Sequence, residues 1–331
     1  MIDYKVFKNS KVLVTGATGL IGQAVIHMLL QNGAKVIALV RNKEKAELIF
    51  SKFKNFPLTF LVSDVCEISI ENIGIDYIIH GASQTSSKAF IEDPVETIVI
   101  ALKGTFNLLE LAKINPIKSF IYLSSMEVYG SPKTNSKILE NHSSNLDTMN
   151  VRSSYPESKR MCENLCAAYV KKYNVPAKVI RLTQTFGPGV QYNDGRVFAE
   201  FARCAIEGKN IILNTTGETK RCYLYIDDAV SAILTVLYMG KTGEAYNAAN
   251  EFTYCSIYEM AHIVASIDDQ NKVDVIVKNN PNIEQYGYAP TLKMNLGTQK
   301  LQKLGWKPTV GLEEMFRKLI EDMRKQKYKG E

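Results

Sequence analysis

The sequence predicts a doubly wound α/β fold: a parallel sheet with helices on both faces, followed by a smaller C-terminal α/β lobe. Three observations carry this. Short apolar runs alternate with helical patterns through the first 183 residues. Glycines stand where the first strand gives way to its helix. The chain's 331 residues also exceed the roughly 250–300 that one hydrophobic core covers.

Residues 11–16 (KVLVTG) are a buried run ending in glycine. Leu20, Ile21, Ala24, Val25, Met28 and Leu29 then recur at steps of three and four, the spacing of a helix, until Asn32-Gly33 stops it. KVIALV (35–40) is a second buried run. A parallel pair needs such a crossover, so the first forty residues read as a βαβ unit. LTFLVSDV (58–65), DYIIHGA (76–82), SFIYLSS (119–125) and AKVIRLT (177–183) read as further strands. Helical patterns fill 95–113 and 156–172. The polar segment 131–150 follows a strand end, where such folds place ligands; it reads equally as a mobile flap and as a surface loop. After residue 184 the rhythm loosens into helical 196–207, strand-like 210–214, helical 228–239, strand-like 244–248 and helical 256–267. A Ser256–Glu259 capping box opens the last of these.

Composition excludes several classes. With 46% hydrophobic and 22% charged residues the chain is neither disordered nor collagenous. A net charge of +6 suits an anionic small ligand, but no basic stripe with interleaved aromatics points to nucleic acid. The six cysteines form no C-x-x-C pair and the four histidines are scattered, so no metal site is expected. The cysteines read as reduced, mostly buried thiols. No apolar run reaches the ~18–20 residues of a membrane helix, and Met1–Lys11 is too polar for a signal peptide. A cytoplasmic protein without membrane contact is expected.

The chemistry begins at Thr15-Gly16-Ala17-Thr18-Gly19-Leu20-Ile21-Gly22, between the first strand and its helix. Glycines there permit a tight turn and close backbone approach, and the helix start offers free N–H groups to a pyrophosphate. In this strand–turn–helix setting it reads as a Rossmann-type dinucleotide site rather than a merely structural turn. After the second strand, Val40-Arg41-Asn42-Lys43 has no acid for a ribose 2′-hydroxyl. Arg41 therefore favours NADP slightly over NAD, unless it is only a solvated surface charge. Asp64 can accept from an adenine amino group or cap a helix. Tyr155 and Lys159 lie four apart and share a helix face. An ammonium beside a tyrosine favours the phenolate, which makes the tyrosine an acid or base near neutral pH. Ser124-Ser125 ends the preceding strand, where a serine hydroxyl can bond a substrate oxygen.

TGATGLIG (15–22), DYIIHGAS (76–83), GTFNLLE (104–110), YLSSMEVYG (122–130) and YPESK (155–159) together resemble the extended short-chain dehydrogenase/reductases. RLTQTFGPG (181–189), NDGRVF (193–198), KRCYLYIDDAV (220–230) and LGWKP (304–308) resemble their nucleotide-sugar epimerase/dehydratase branch. The resemblance implies roles. Gly16, Thr18, Gly19, Leu20, Ile21 and Gly22 would hold the pyrophosphate of NAD(P). Asp64 and Val65 would flank the adenine, and Gly81, Ala82 and Ser83 would line the cofactor. Ser125, Tyr155 and Lys159 would be catalytic, with Lys159 bonding the nicotinamide ribose, and Glu127 would be a base toward C5 of the sugar. Ser125, Met126, Gln184, Arg196 and Arg221 would meet a nucleotide-diphosphate sugar, the two arginines at the diphosphate. The sequence departs from the family at Ala101 and Gln184, where asparagine is usual, and at Met126, where one type of dehydratase has an aspartate. The implied activity is epimerisation or dehydration through a 4-keto sugar. The alternatives are an NADPH-dependent 4-ketoreductase and, further off, a non-catalytic NADP-binding sensor or scaffold. Residues 1–183 would form the dinucleotide-binding domain and 184–331 the substrate lobe, with some chain crossing between them. Relatives pair the helices at 95–113 and 156–172 into a homodimer.

Overall fold

The computed structural model describes residues 2–267, 273–278 and 291–330. In chain order the strands of its first half are β1 (Lys11–Thr15), β2 (Lys35–Val40), β3 (Leu58–Val62), β4 (Tyr77–His80), β5 (Ser119–Ser125) and β6 (Ala177–Leu182). The helices between them include α1 (Leu20–Gln31), α2 (Lys43–Ile49), α3 (Ala89–Glu92), α4 (Pro94–Ile114) and α5 (Ser154–Tyr173). There follow β7 (Gln184–Phe186), α6 (Val197–Glu207), β8 (Ile211–Leu213), β9 (Lys220–Tyr225), α7 (Ile226–Met239), β10 (Ala245–Ala248), β11 (Asn250–Ser256), α8 (Ile257–Ala265), β12 (Val275–Val277), β13 (Lys293–Met294), α9 (Gln299–Gln302) and α10 (Leu312–Gly330). Seven strands form the large sheet in the order β10-β6-β5-β4-β1-β2-β3, all parallel.

Successive side chains of a strand point to opposite faces, and both faces of this sheet are covered. Val12, Val14, Val36, Ala38, Ile79, Ile121 and Ile180 meet α1 and α7. Leu13, Leu39, Ile78, Phe120 and Tyr122 meet α4 and α5. This two-sided burial is why the runs in the sequence are continuously apolar rather than alternating. The smaller lobe has its own core of Phe186, Phe198, Tyr223 and Phe316, built from β7, β9, α6 and α10.

Two expectations change. The third strand stops at Val62, and Asp64 lies in a turn whose Cys66 N–H it accepts at 2.8 Å. The run at 244–248, expected in the small lobe, is β10, which extends the large sheet beside β6. The helix before it, α7, is buried along most of its length and fills the main core. Segment 131–150 lacks helix or strand but is tied down at its middle. Ile138 bridges Leu296, and the Ile138 and Glu140 carbonyls accept from Asn247 and Arg181.

Far along the chain, the fully buried Trp306 donates to Asp228 O and Ser231 Oγ. The Asp228 carboxylate accepts from the backbone N–H groups of Thr309 and Val310. This is what the LGWKP segment does: it fastens the tail to α7. No described helix is long and apolar enough to cross a membrane.

A buried ion pair locks β6 to α5. Arg181 forks onto Glu163 at 2.6–3.2 Å and reaches Tyr129 Oη at 2.9 Å, with both charged side chains only 13% exposed. Removing one partner leaves a buried charge uncompensated. Arg181→Met is therefore expected to destabilise the protein by about 3–5 kcal/mol in urea unfolding. A loss below about 1 kcal/mol, the range of a solvated surface pair, would contradict this assignment.

Candidate active site

The turn after β1 is shaped for close approach. Gly16 has φ 68°, and a Cβ there would come within 2.7 Å of the Gly81 carbonyl. At Gly22 a Cβ would lie 2.2 Å from Gly16 O, so α1 seats against the turn only because that side chain is absent. The N-cap of α1, Gly19, offers no side-chain acceptor to the first turn. The backbone N–H groups around Leu20 and Ile21 and the positive end of the helix thus face outward, as an anion site requires. Gln23 Nε2 donates to Thr18 O at 2.8 Å and steadies the turn.

Opposite, Ala82 N–H donates to Thr15 Oγ1 at 3.1 Å, and Thr15 Oγ1 bonds His80 Nδ1 at 2.8 Å. Burial pushes His80 down to about 3, so this ring is a neutral strut. It holds Gly81-Ala82-Ser83 beside Gly16. The cradle fits a dinucleotide pyrophosphate. Val65 is buried, and its carbonyl accepts from Asn107 Nδ2 at 3.2 Å. Arg41 is exposed at the end of β2, where Asn42 caps α2.

Ser125, Tyr155 and Lys159 converge at the end of β5. Ser125 ends β5, accepts the Glu127 N–H at 3.2 Å and stands beside the Tyr155 phenol, whose pKa it pulls down. Tyr155 sits in the first turn of α5, buried, its ring stacked on Phe90 at 4.2 Å. Lys159 Nζ donates to Leu123 O at 2.9 Å and lies 5.7 Å from the Tyr155 ring centroid. The expectation that Lys159 depresses the Tyr155 pKa needs correction here. Burial first, then the Glu127 charge, holds the phenol well above its ordinary range, while Ser125 and Arg152 pull it back. Burial also lowers Lys159 to about 8. Desolvation outweighs the ammonium in this pair.

Glu127 is not a free carboxylate. Arg152 Nη2 donates to its two oxygens at 3.1 and 2.9 Å. Met126, expected at the substrate, is 6% exposed and packs with Cys222, Ala249 and Met294, its sulfur 3.3 Å from Thr183 Oγ1. It is a core residue beneath the site. Arg196 forks onto Asp194 at 2.6–3.2 Å and lies over Phe198. Gln184 and Tyr223 are register partners on β7 and β9, and Arg221 stands two residues before Tyr223, so the three share one side of the small sheet. Gln184 Oε1, Arg221 Nε and Tyr223 Oη are buried without a partner. Buried polar atoms of this kind are ready for a ligand. Sequence reasoning missed Phe90, Arg152, Glu163 and Tyr223. Arg152 stands three residues before Tyr155 with no periodic signal, and Phe90 is joined to the site only by the fold.

Residues 12–249 match the family described as the NAD dependent epimerase/dehydratase family. UDP-glucuronic acid decarboxylase 2 of Arabidopsis thaliana is 29% identical over 321 residues, 96% of this chain and 69% of that protein. UDP-glucuronic acid decarboxylase 1 of Xenopus tropicalis is 28% identical over 323 residues, 96% of this chain and 73% of that protein. Among solved structures, the UDP-glucose 4-epimerase of Thermotoga maritima with UDP-glucose superposes with a TM-score of 0.82 at 23% identity. It covers 96% of this chain and 99% of its own. The UDP-glucuronic acid 4-epimerase of Bacillus cereus with NAD and UDP-glucuronic acid gives 0.81 at 22% identity, with coverage of 96% and 99%.

Proposed function

The chain belongs to the NAD-dependent epimerase/dehydratase family, and from that premise we propose that it oxidises a nucleotide-linked sugar at C4 and works through a 4-keto intermediate. The observation that carries this reading is the meeting of Ser125, at the end of β5, with Tyr155 and Lys159 of α5, one strand from the Gly81–Ser83 cradle. A dinucleotide held by the Gly16–Gly22 turn and Gly81–Ser83 would supply, through its nicotinamide, a hydride acceptor. The Tyr155 phenolate takes the proton of the C4 hydroxyl, and Ser125 bonds the same oxygen. The ordinary pKa of a phenol is ~10, and burial raises this one further, so a positive charge arriving beside it is needed to poise it near neutral pH. Arg221 and Gln184, with buried atoms unpaired, are assigned to the nucleotide diphosphate, and Arg196 joins them by exchanging Asp194 for phosphate.

The 4-keto sugar then returns as a C4 epimer or loses water. A second reading is favoured by the Glu127–Arg152 pair and by the decarboxylase relatives. On a uronic acid, C4 oxidation makes a β-keto acid. Its C5–carboxylate bond breaks to release CO2, the electrons pass to the C4 oxygen as an enolate, C5 is reprotonated, and return of the hydride to C4 and of a proton to its oxygen restores the alcohol. No base at C5 is required, which suits a Glu127 already engaged by a guanidinium.

A panel of UDP-, dTDP-, GDP- and CDP-sugars, UDP-glucuronic acid included, read by mass spectrometry, tests both readings. Loss of CO2, loss of water, or a new retention time at constant mass identifies decarboxylation, dehydration or epimerisation. Gain of two hydrogens on a keto sugar identifies a reductase instead. Tyr155→Phe is expected to lower turnover ~10²–10⁴-fold with substrate affinity kept. No conversion of any member, or equal turnover by Tyr155→Phe, sinks the proposal.

For the cofactor we assign Arg41 to a 2′-phosphate. Arg41→Ala should then weaken NADP about ten- to a hundred-fold and NAD little, the worth of one charge-assisted pair. Equal weakening, or a wild type that prefers NAD, removes the assignment. Val95, Ile98, Val99 and Phe106 on α4 and Met161 on α5 are exposed apolar residues on neighbouring helices. They support an isologous homodimer through α4 and α5, which light scattering at micromolar concentration checks; a monomer refutes it. The six free thiols support a cytoplasmic location.

A further inference from the structure

Arg152 has no part in the reaction as drawn above, yet three elements meet on it. It lies in the short turn Val151–Ser153 that leads directly into α5. One nitrogen, Nη2, bonds both oxygens of Glu127. Its guanidinium carbon lies 4.9 Å from the centroid of the Phe90 ring, which comes from α3. The Phe90 ring in turn stacks on Tyr155 with an interplanar angle of 12°. Ser154 Oγ donates to Phe90 O at 3.0 Å and pins α3 to the start of α5. The resulting stack runs guanidinium, phenyl ring, phenol ring, with the Lys159 ammonium 5.7 Å from the phenol centroid. Arg152 Nε is buried and unpartnered.

A surface ion pair needs none of this. Exposed pairs are worth little and tolerate many geometries. A flat guanidinium that bonds a carboxylate while lying over a ring has a defined place, and lysine cannot reproduce that contact. The Arg152 side chain is 20% exposed and that of Glu127 29%, so their attraction is only partly screened.

We propose that Arg152 is a positioning residue for the reaction. It holds the Glu127 carboxylate with one corner of its fork and the Phe90–Tyr155 stack with its face, so that both groups keep a fixed relation to the sugar. This inference rests on the C4-oxidation reading. Its electrical consequence follows from which groups face the phenol. Glu127 and Arg152 are the charged groups of the two short turns beside it, and Lys159 comes from its own helix. From β5, Tyr122 faces it with a buried, neutral hydroxyl. One turn beyond Lys159, Glu163 is satisfied by Arg181 and Ser124. On α3, Lys88 and Glu92 pair with each other at the surface. The Glu127 charge disfavours the phenolate and the Arg152 charge favours it. Losing Arg152 leaves Glu127 unopposed, and the phenolate forms only at higher pH.

The test is a pH profile of kcat/KM on the cofactor-loaded enzyme for wild type, Arg152→Gln, Arg152→Lys, Glu127→Gln and the Arg152→Gln/Glu127→Gln double variant. In Arg152→Gln the rising limb should move up by about one pH unit, a roughly tenfold loss below the limb. The double variant should bring the limb back toward wild type. Arg152→Lys should keep the limb and lose turnover, since it keeps the charge but not the planar contact. A uniform loss at every pH in Arg152→Gln, or a double variant whose limb stays with the single, overturns the proposal. A second measurement needs no substrate. With tyrosine labelled at Cζ, the Tyr155 resonance, assigned by its absence in Tyr155→Phe, should shift in Arg152→Gln. Identical Tyr155 resonances and titrations in the two proteins overturn the proposal even if no sugar nucleotide is turned over, whereas an inactive wild type with a shifted resonance sinks only the C4-oxidation reading.

Discussion

One stripe of α5 meets the last three residues of β5, and the site depends on that contact. Tyr155, Lys159 and Glu163 stand four residues apart and so share a face of the helix. Lys159 bonds the Leu123 carbonyl, Glu163 accepts from Ser124 Oγ at 2.5 Å, and Tyr155 stands beside Ser125. Two consecutive strand residues are held by successive turns of one helix, and the third faces the turn before them. Neither element can slide without breaking a buried polar bond, and an unpaired buried group of this kind costs about 1–3 kcal/mol. The Tyr155 phenol is therefore aimed by the fold rather than by its own rotamer freedom.

Burying an ammonium and a carboxylate under a sheet requires compensation from elsewhere. Arg181, reaching over from β6, supplies it for Glu163, donates directly to the Glu140 carbonyl and extends the bonding through Tyr129 to Asn247. Segment 131–150 is thereby joined to the same polar layer as the catalytic helix. Lys159 has only a carbonyl and two aromatic faces, Tyr122 at 4.7 Å and Tyr155 at 5.7 Å. That is why burial lowers its pKa to about 8. The site thus combines a phenol held neutral with an ammonium whose charge is easily lost, and its state responds to any charge that arrives beside it.

The large sheet was legible because most of its strands are continuously apolar runs and its first crossovers have helical spacing. The turn at Gly16–Gly22 and the Tyr155–Lys159 pair were legible because their spacing is local. Long-range pairing was not. Nothing near Met126 in the chain reveals that Cys222 and Met294 enclose it, and nothing near Glu127 announces Arg152. The fate of β10 was hidden for a related reason. Its sequence says buried strand, and only the open edge of β6 decides which sheet receives it. Asp64 lies just past the strand end, in a turn where one of its oxygens accepts the Cys66 N–H.

The central claim is that this site removes hydrogen from C4 of a sugar, with Tyr155 taking the proton. The most direct measurement follows deuterium placed at C4 of a converted sugar nucleotide in a quenched single turnover. The account predicts that the label leaves C4 for the nicotinamide ring in wild type and stays on the sugar in Tyr155→Phe. A wild type that completes conversion with the label retained at C4 throughout would contradict it.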